Sequence, residues 1–225
     1  MAHVEQLAFV KILSQQIYEH SDFLDILEIG SYDVNGSIRQ FFKNSNYTGV
    51  DLIEGKGVDF IGDGHILDYP DEKFDMTISC ESFEHNPYWK ETFLNMIRMT
   101  KKGGLVVFTC ATTDRAEHGT TRTSSIDSPG TIQMNWDYYK NLEKSDFTTE
   151  VPNFNSYFNR YLFITNRKSK DLYFIGTKLG DEIYPVKLYS LMKNYSLFRI
   201  NQRINTIYTF MKKCFKFGKR VLEGK

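Results

Sequence analysis

The chain has 225 residues and a formal net charge of zero, a length that suits one α/β domain with an appendage. A hydrophobic content of 41% and a charged content of 25% are ordinary for a globular protein. No stretch approaches the roughly 20 apolar residues that a membrane-spanning helix needs, so the sequence excludes such a helix.

The amino terminus and the cysteines both indicate a cytoplasmic protein. Residues 1–5 lack the basic flank and the apolar segment of a secretory signal. Cys80, Cys110 and Cys214 are far apart and form no CxxC pair. We interpret them as free thiols in a reducing compartment.

A nucleotide-binding βαβ unit is predicted near the start of the chain. The apolar run Asp25–Ile29 is closed by Gly30, and a helix is predicted to begin near Val34. A second strand, Tyr47–Val50, ends in Asp51. The glycine lets a ligand approach the backbone, and a carboxylate at the tip of the second strand can accept hydrogen bonds from ribose hydroxyls.

The rest of the pattern predicts an α/β fold, a doubly wound, mostly parallel seven-stranded Rossmann-like sheet with a C-terminal antiparallel hairpin and a basic helical tail. The polar stretch 111–134 is too long for a simple connection and is predicted to be a loop on the acceptor side of the site. The predicted domain spans 1–180, with an N-terminal helix within 1–22, and the extension spans 181–225. The other predicted elements are a helix at 4–19, strands at 58–61, 74–80 and 105–110, helices at 87–99 and 136–142, a helix-terminating turn at 102–104, and hairpin strands at 158–165 and 171–177.

The tail is basic and amphipathic. From Lys187 onward ten lysines and arginines face Glu223 as the one acidic residue. Apolar residues recur at helical spacing, and basic residues project to the other side: Ile200, Ile204, Ile207, Met211 and Phe215, with Lys212, Lys213, Lys216 and Arg220. Such a helix can lie on an anionic membrane, here the inner membrane face, or dock on its own domain or on a second subunit, and we expect docking. No nucleic-acid motif accompanies the charge, so no nucleic-acid partner is expected.

Several motifs resemble those of the class I S-adenosylmethionine-dependent methyltransferases, especially the methyltransferase type 11 group. The similarity covers residues 24–111 in motif detail and extends to about 178 in strand order. Tyr32 and Val34 stand where that family usually has further glycines. The residues that carry the resemblance are Leu27–Gly30, Gly49–Asp51, Gly62–Gly64, Phe74–Ser79, Glu84-His85 and Lys102–Leu105.

The resemblance implies S-adenosylmethionine as the cofactor. Asp51 would hold the ribose in a bidentate contact, and Asp63 would face the adenine amino group. The backbone after the fourth strand would hold the methionine part. The full set of cofactor-binding residues implied is Glu28, Gly30, Ser31, Asp51, Leu52, Gly62, Asp63, Gly64, His65, Cys80 and Glu81.

The acceptor side is predicted from residue chemistry. His85 and His118 are candidates for the base or for a group that orients the acceptor. Arg115 and Arg122 can hold a phosphate or a carboxylate, and Tyr138 and Tyr139, with Trp136, can form an aromatic wall. Glu81 and Glu84 can join the two histidines around a divalent metal, but no spacing requires it, and no metal is assigned.

The predicted function is methyl transfer from S-adenosylmethionine to a small-molecule or sugar acceptor, at oxygen. A glycan-type acceptor in surface polysaccharide biosynthesis is suggested by the run Asn35–Ser37, which is similar to methyltransferases of such pathways. Two alternatives stay open: a nicotinamide-dependent oxidoreductase, which shares the ribose carboxylate, and a non-catalytic Rossmann-like scaffold that works through its basic tail.

Overall fold

The computed structural model describes residues 3–21 and 23–222, with side-chain environments for all of these except 207, 208 and 210–222. Its elements follow the order expected for alternating strands and helices and then for a terminal strand pair. Their bounds are α1 Val4–Tyr18, β1 Leu24–Ile29, β2 Ser45–Asp51, β3 Phe60–Ile61, β4 Phe74–Cys80, α2 Trp89–Met99, β5 Thr100–Ala111, α3 Pro129–Gln133, α4 Lys144–Glu150, β6 Phe158–Asn166, β7 Asp171–Lys178 and α5 Leu188–Leu222.

The strands form one seven-stranded sheet in the order β3-β2-β1-β4-β5-β7-β6. The pairs from β3 to β5 are parallel, and β7 runs antiparallel to both of its neighbours. The predicted α/β class and the mostly parallel sheet are therefore confirmed. Because the strand order reverses between β1 and β4, the carboxyl ends of these strands diverge into a crevice, where ligands of open α/β sheets bind.

Both faces of the sheet are covered, which explains why its central strands are apolar along their whole length. On one face α2 and α4 pack an aromatic core in which Phe93, Phe108 and Phe174 are fully buried. On the other face α1 packs with the start of α5, and Phe9 stacks on Tyr173 with ring centroids 4.9 Å apart. This rigid sheet fixes the positions of the residues at its carboxyl edge.

The helix predicted to begin near Val34 is wrong. The backbone amide of Asp33 donates to the carbonyl of Lys56, and its carboxylate accepts from the amide of Gly36, which has a φ of +137°. That conformation is incompatible with a helix. The chain therefore continues as a loop to a short 3₁₀ turn at Ile38–Phe41.

The prediction of a helix at 136–142 is also wrong. Long-range backbone hydrogen bonds hold this segment in a non-helical conformation. The amide of Lys140 donates to the carbonyl of Glu84, and that of Leu142 donates to the carbonyl of Ala111. Asp137 has a positive φ of 37°. The segment is thus tied to the ends of two other elements instead of forming its own helical turn.

Smaller differences concern turns and short helices. The third strand is reduced to Phe60–Ile61, and the turn predicted at 102–104 lies within β5, where Gly103 has a φ of +72° next to an irregularity in the β4–β5 register. The polar stretch 111–134 contains α3, and α4 was not predicted.

The start of the tail packs on the domain. In α5, Leu191 and Tyr195 are buried in the core that contains Phe9, whereas Ile200 and Ile204 are 51% and 57% exposed. The tail residues predicted to form the rest of the amphipathic pattern, from Ile207 to Arg220, have side chains outside the described set. Within the described residues, no helix is both long enough and apolar enough to cross a membrane.

Candidate functional site

A cleft opens at the carboxyl ends of β1, β2 and β4. Most of the predicted cofactor residues line it together with two predicted acceptor-side residues: Glu28, Gly30, Ser31, Asp51, Leu52, Gly62, Asp63, Gly64, Cys80, Glu81, His85 and Trp136.

The turn after β1 brings backbone to the floor of the cleft. Gly30 has a φ of +81°, and a Cβ there would lie 2.7 Å from Cβ of Ser82, so the turn requires glycine. Its amide donates to the carbonyl of Val50, which ties β1 to β2. Tyr32 is accommodated because its ring covers Gly55, where no side chain would fit.

Asp51 is held at the tip of β2 by the backbone. Its Oδ2 accepts from the amide of Tyr32 at 2.9 Å, and its Oδ1 accepts from the amide of Leu52 at 2.7 Å. Burial raises the pKa of the Asp51 carboxyl, while these two amide bonds oppose the rise. Each carboxylate oxygen keeps a further lone pair for a ligand hydroxyl.

Glu28 lies deeper, under the turn, and is 4% exposed. Its Oε2 accepts a hydrogen bond of 2.8 Å from the hydroxyl of Tyr47. Burial raises the pKa of the Glu28 carboxyl to about 8, with the nearby charge of Asp51 adding to the rise. At neutral pH the group is therefore largely protonated when no cation lies beside it.

Asp63 and three rings form the wall next to β3. One oxygen of Asp63 bonds Nδ1 of His65 at 2.6 Å, which leaves the other oxygen for a ligand. The His65 ring stacks on Tyr88 with centroids 4.2 Å apart, and Tyr88 meets the edge of Trp136. His65 supports this wall without lining the cleft itself.

The charge of the cleft is one-sided. Among the described residues that line it there are five carboxyl groups and no lysine or arginine. Glu28 is largely protonated at neutral pH, but those of the five that are ionised attract cationic ligands and repel phosphates. The five acidic residues are Glu28, Asp51, Asp63, Glu81 and Asp127.

A compact cluster of side chains meets the cleft through His85. Glu84 and His85 follow β4, and His118 reaches them from the loop after β5. The rings of His85 and His118 meet edge to face at 4.8 Å, and Tyr139 packs against both. Gly119 makes this approach feasible, because a Cβ there would lie 2.6 Å from Cε1 of His85.

Burial controls the ionisation of this cluster. It lowers the pKa of His85 to about 2, with the charge of His118 adding to the effect, and it lowers the pKa of His118 as well. It raises the pKa of Glu84 to about 8, with the charge of Glu81 adding to the rise. Both imidazoles are therefore neutral at physiological pH, and His85 is too weakly basic to retain a proton.

Glu81 belongs to a separate group around Asp171. Nε2 of His3 lies 2.8 Å from Oδ2 of Asp171 and 3.8 Å from Glu81, and Arg115 pairs with Asp171 at 3.0 Å. Burial lowers the pKa of His3, but the hydrogen bond to Asp171 and the charge of Glu81 outweigh it, and the net shift is upward. This group is an ion-pair network with donors for Asp171.

Five of the predicted acceptor-side residues do not line the cleft: Arg115, His118, Arg122, Tyr138 and Tyr139. Arg115 is bound to Asp171 and to the carbonyl of Ser169, and Arg122 pairs with Glu117 and Asp137. These partners occupy the guanidinium groups that were predicted to hold an anionic acceptor. Tyr138 is half-buried outside the cleft, whereas Tyr139 lies at the histidine cluster.

Sequence reasoning missed the segment that covers the cleft beside Asp51. Residues 127–131 line the cleft, and a Cβ on Gly130 would lie 3.1 Å from Oδ1 of Asp51. Gln6 of α1 also lines it. Ser128-Pro129-Gly130 was a readable turn signal in the long loop, but nothing local indicated that it folds back onto β2.

The comparisons with known proteins agree with this geometry. Residues 35–108, about a third of the chain, match the family model described as a methyltransferase domain. The matched segment includes Asp51, Asp63, Glu84 and His85, but neither Gly30 nor His118. A search of curated proteins gives no match.

Solved structures share the fold at low sequence identity. The CurJ carbon methyltransferase matches with a TM-score of 0.53 and 13% identity over 76% of this chain and 54% of that chain. Phosphoethanolamine N-methyltransferase 2 of Haemonchus contortus, in complex with phosphomonomethylethanolamine and S-adenosylhomocysteine, matches with a TM-score of 0.53 and 14% identity over 77% and 52%. The YcgJ protein of Bacillus subtilis matches with a TM-score of 0.50 and 10% identity over 77% and 99%. The chain thus spans about half the length of the first two.

Proposed function

We propose that this chain, which carries the methyltransferase domain of class I S-adenosylmethionine-dependent enzymes, moves a methyl group from S-adenosylmethionine to a hydroxyl of a small or glycan-type acceptor. One observation carries the proposal. Gly30, Asp51 and Asp63 meet in a single acidic cleft that His85, a member of the Glu84–His85–His118 cluster, also lines.

In this proposal the cofactor lies along the cleft from β3 to β4. Asp63 takes the adenine amino group, and Asp51 takes the two ribose hydroxyls. Gly30 and the backbone at Cys80 and Glu81 pass beside the methionine part. The carboxyl groups of Glu28 and Glu81 lie nearest to the positive charges of the ammonium and sulfonium groups.

The lining charge separates this proposal from the nicotinamide alternative. A dinucleotide brings a doubly charged pyrophosphate, which needs a glycine-rich turn or cations. The described lining supplies five carboxyl groups instead, and the sulfonium cofactor has a net positive charge. The same lining disfavours an anionic acceptor, since Arg115 and Arg122 are paired elsewhere.

The reaction is an in-line displacement at the methyl carbon. A lone pair of the acceptor oxygen forms the new O–C bond as the C–S bond breaks, and the electron pair of that bond stays on sulfur. The products are the methyl ether, S-adenosylhomocysteine and one proton released to water. Alignment of oxygen, carbon and sulfur supplies much of the rate, which is the task we assign to the histidine cluster.

His85→Ala is expected to lower turnover at least about 100-fold while the dissociation constant of S-adenosylmethionine changes less than about threefold. We assign His85 the task of orienting the acceptor and not that of accepting its proton, because burial lowers the pKa of its imidazole to about 2. The exposed His20 offers a matched control, and His20→Ala should retain full turnover. Normal turnover in His85→Ala would remove this residue from the acceptor side.

Two measurements test the function as a whole. Mass spectrometry of the purified protein should find S-adenosylmethionine or S-adenosylhomocysteine, and titration calorimetry should show binding of both but not of NAD. A panel of sugars, phenols and amines should then yield S-adenosylhomocysteine with a hydroxyl compound. Binding of NAD in place of S-adenosylmethionine, or of neither, would overturn the proposal.

A further inference from the structure

The cluster at the acceptor end has side chains without partners. Glu84 is fully buried and His85 is 2% exposed, yet both oxygens of Glu84 and both ring nitrogens of His85 lack a hydrogen-bond partner. Nε2 of His118 lacks one too. Leaving a buried polar group unpaired is energetically unfavourable, so a set of five such atoms in one place calls for a ligand.

The hydrogen positions sharpen this requirement. Nδ1 of His118 lies 3.1 Å from the carbonyl oxygen of Ala116, and a carbonyl can only accept, so Nδ1 carries the hydrogen. Nε2 then presents a lone pair toward Oε1 of Glu84, 4.0 Å away. The two atoms face each other at a distance that is too long for a hydrogen bond between them.

The neighbouring group around Asp171 provides an internal comparison. There the carboxylate of Asp171 accepts from Arg115 and Tyr173, and Nε2 of His3 lies 2.8 Å from it, so its charge is already compensated. Both oxygens of Glu81 in that group lack a hydrogen-bond partner, but Arg115 lies in the same group. The carboxyl group of Glu84 has no hydrogen-bond donor and no lysine or arginine paired with it among the described residues.

We propose that Glu84, His85 and His118 form a binding site for a divalent transition-metal cation at the acceptor end of the cleft. One ligand atom from each of the three lies within 4.8 Å of the others. Ligands at about 2.1 Å from a metal lie at most about 4.2 Å apart, so binding requires side-chain adjustments on the order of an ångström.

The donor set selects the class of metal. Two imidazoles and one carboxylate suit zinc, iron, cobalt, nickel or manganese better than magnesium or calcium, which prefer oxygen ligands throughout. The bond from His118 to Ala116 fixes the ring in the orientation and tautomer that a metal ligand needs. Three protein ligands leave coordination positions open for a substrate atom.

The metal site would add to the proposed function, and its role in the reaction rests on that function. An acceptor hydroxyl bound to the open position would be oriented toward the cleft, where His85 lies in the lining. Coordination also makes a bound hydroxyl more acidic, so its proton leaves more readily to water as the oxygen attacks. The metal site itself can exist whether or not methyl transfer occurs.

Cobalt(II) is a suitable probe because its visible absorption reports the coordination. After chelator treatment, the full-length protein should bind one Co²⁺ per chain, with the strong absorption of a four- or five-coordinate site. His118→Gln and Glu84→Gln each remove one ligand and should weaken binding at least about 100-fold. His20→Gln, at an exposed histidine, should bind as the wild type does.

Each possible result of the Co²⁺ titrations either supports or overturns the metal site. Equal Co²⁺ affinity in wild type and either cluster variant, no binding, or only the weak absorption of a hydrated ion would each overturn the site. The wild-type stoichiometry and spectrum decide even where a variant fails to fold. Calorimetry with S-adenosylmethionine on the same samples separates the two proposals, because loss of cofactor binding with intact Co²⁺ binding would refute the methyltransferase function alone.

Discussion

Asp51→Ala is expected to raise the dissociation constant of S-adenosylmethionine about 10- to 100-fold. A hydrogen bond to a charged group contributes about 1.5–3 kcal/mol, and the ribose offers two hydroxyls to this carboxylate. Asp51 is already positioned by the amides of Tyr32 and Leu52, so little ordering is needed when the ligand binds. Titration calorimetry with S-adenosylmethionine and S-adenosylhomocysteine measures the effect.

Two further variants separate ligand contact from local structure. Asp51→Ala also removes the acceptor for the two backbone amides, whereas Asp51→Asn retains an oxygen for one of them and loses the charge. The affinity of Asp51→Asn for S-adenosylmethionine should therefore lie between that of the wild type and that of Asp51→Ala. Asp68 is an exposed acid, and Asp68→Ala should leave the dissociation constant unchanged. A change of less than twofold in a folded Asp51→Ala protein would place the ribose elsewhere.

The parts of the site that the sequence predicted depend on local patterns. An apolar run followed by Gly30, and another followed by Asp51, place both residues at the carboxyl ends of parallel neighbours, because the crossover between parallel strands is right-handed and leaves few other arrangements. Asp63 follows in the same way from the third strand. These positions need only a strand pattern and a turn, both of which the local sequence carries.

The parts that could not be predicted depend on partners distant in sequence. Arg115 was expected at the acceptor, but Asp171, 56 residues away, binds it. The segment around Lys140 was expected to be helical, but its amide is used by the carbonyl of Glu84. Local propensity does not describe such contacts, which form only when the sheet brings β4, β5 and β7 together.

The pH dependence of stability should reveal the buried carboxyl of Glu28. Its pKa is about 8 in the folded protein, against 4.5 for a free glutamate side chain. Between these values the unfolded chain has lost the proton and the folded chain has kept it. The free energy of unfolding therefore falls as pH rises from about 4.5 to about 8, and it does so at up to about 1.4 kcal/mol per pH unit.

Glu28→Gln should remove this dependence. Glutamine matches the shape of the protonated side chain and still offers an oxygen to the hydroxyl of Tyr47, so the fold should be retained. Relative to wild type, the variant is expected to gain on the order of 3–5 kcal/mol of stability between pH 4.5 and pH 8. Denaturant unfolding at a series of pH values measures the difference, in which the titration of all other groups largely cancels.

Glu54→Gln, at an exposed glutamate, should show the same dependence of the free energy of unfolding on pH as the wild type. A pH-independent difference between wild type and Glu28→Gln would show that the folded protein does not hold a neutral carboxyl at this position. The cofactor adds a second readout, because a sulfonium or ammonium charge beside Glu28 favours its ionised form. Binding of S-adenosylmethionine at pH 7 should then release a proton in the wild type and release less in Glu28→Gln, which calorimetry in buffers of different ionisation enthalpy detects.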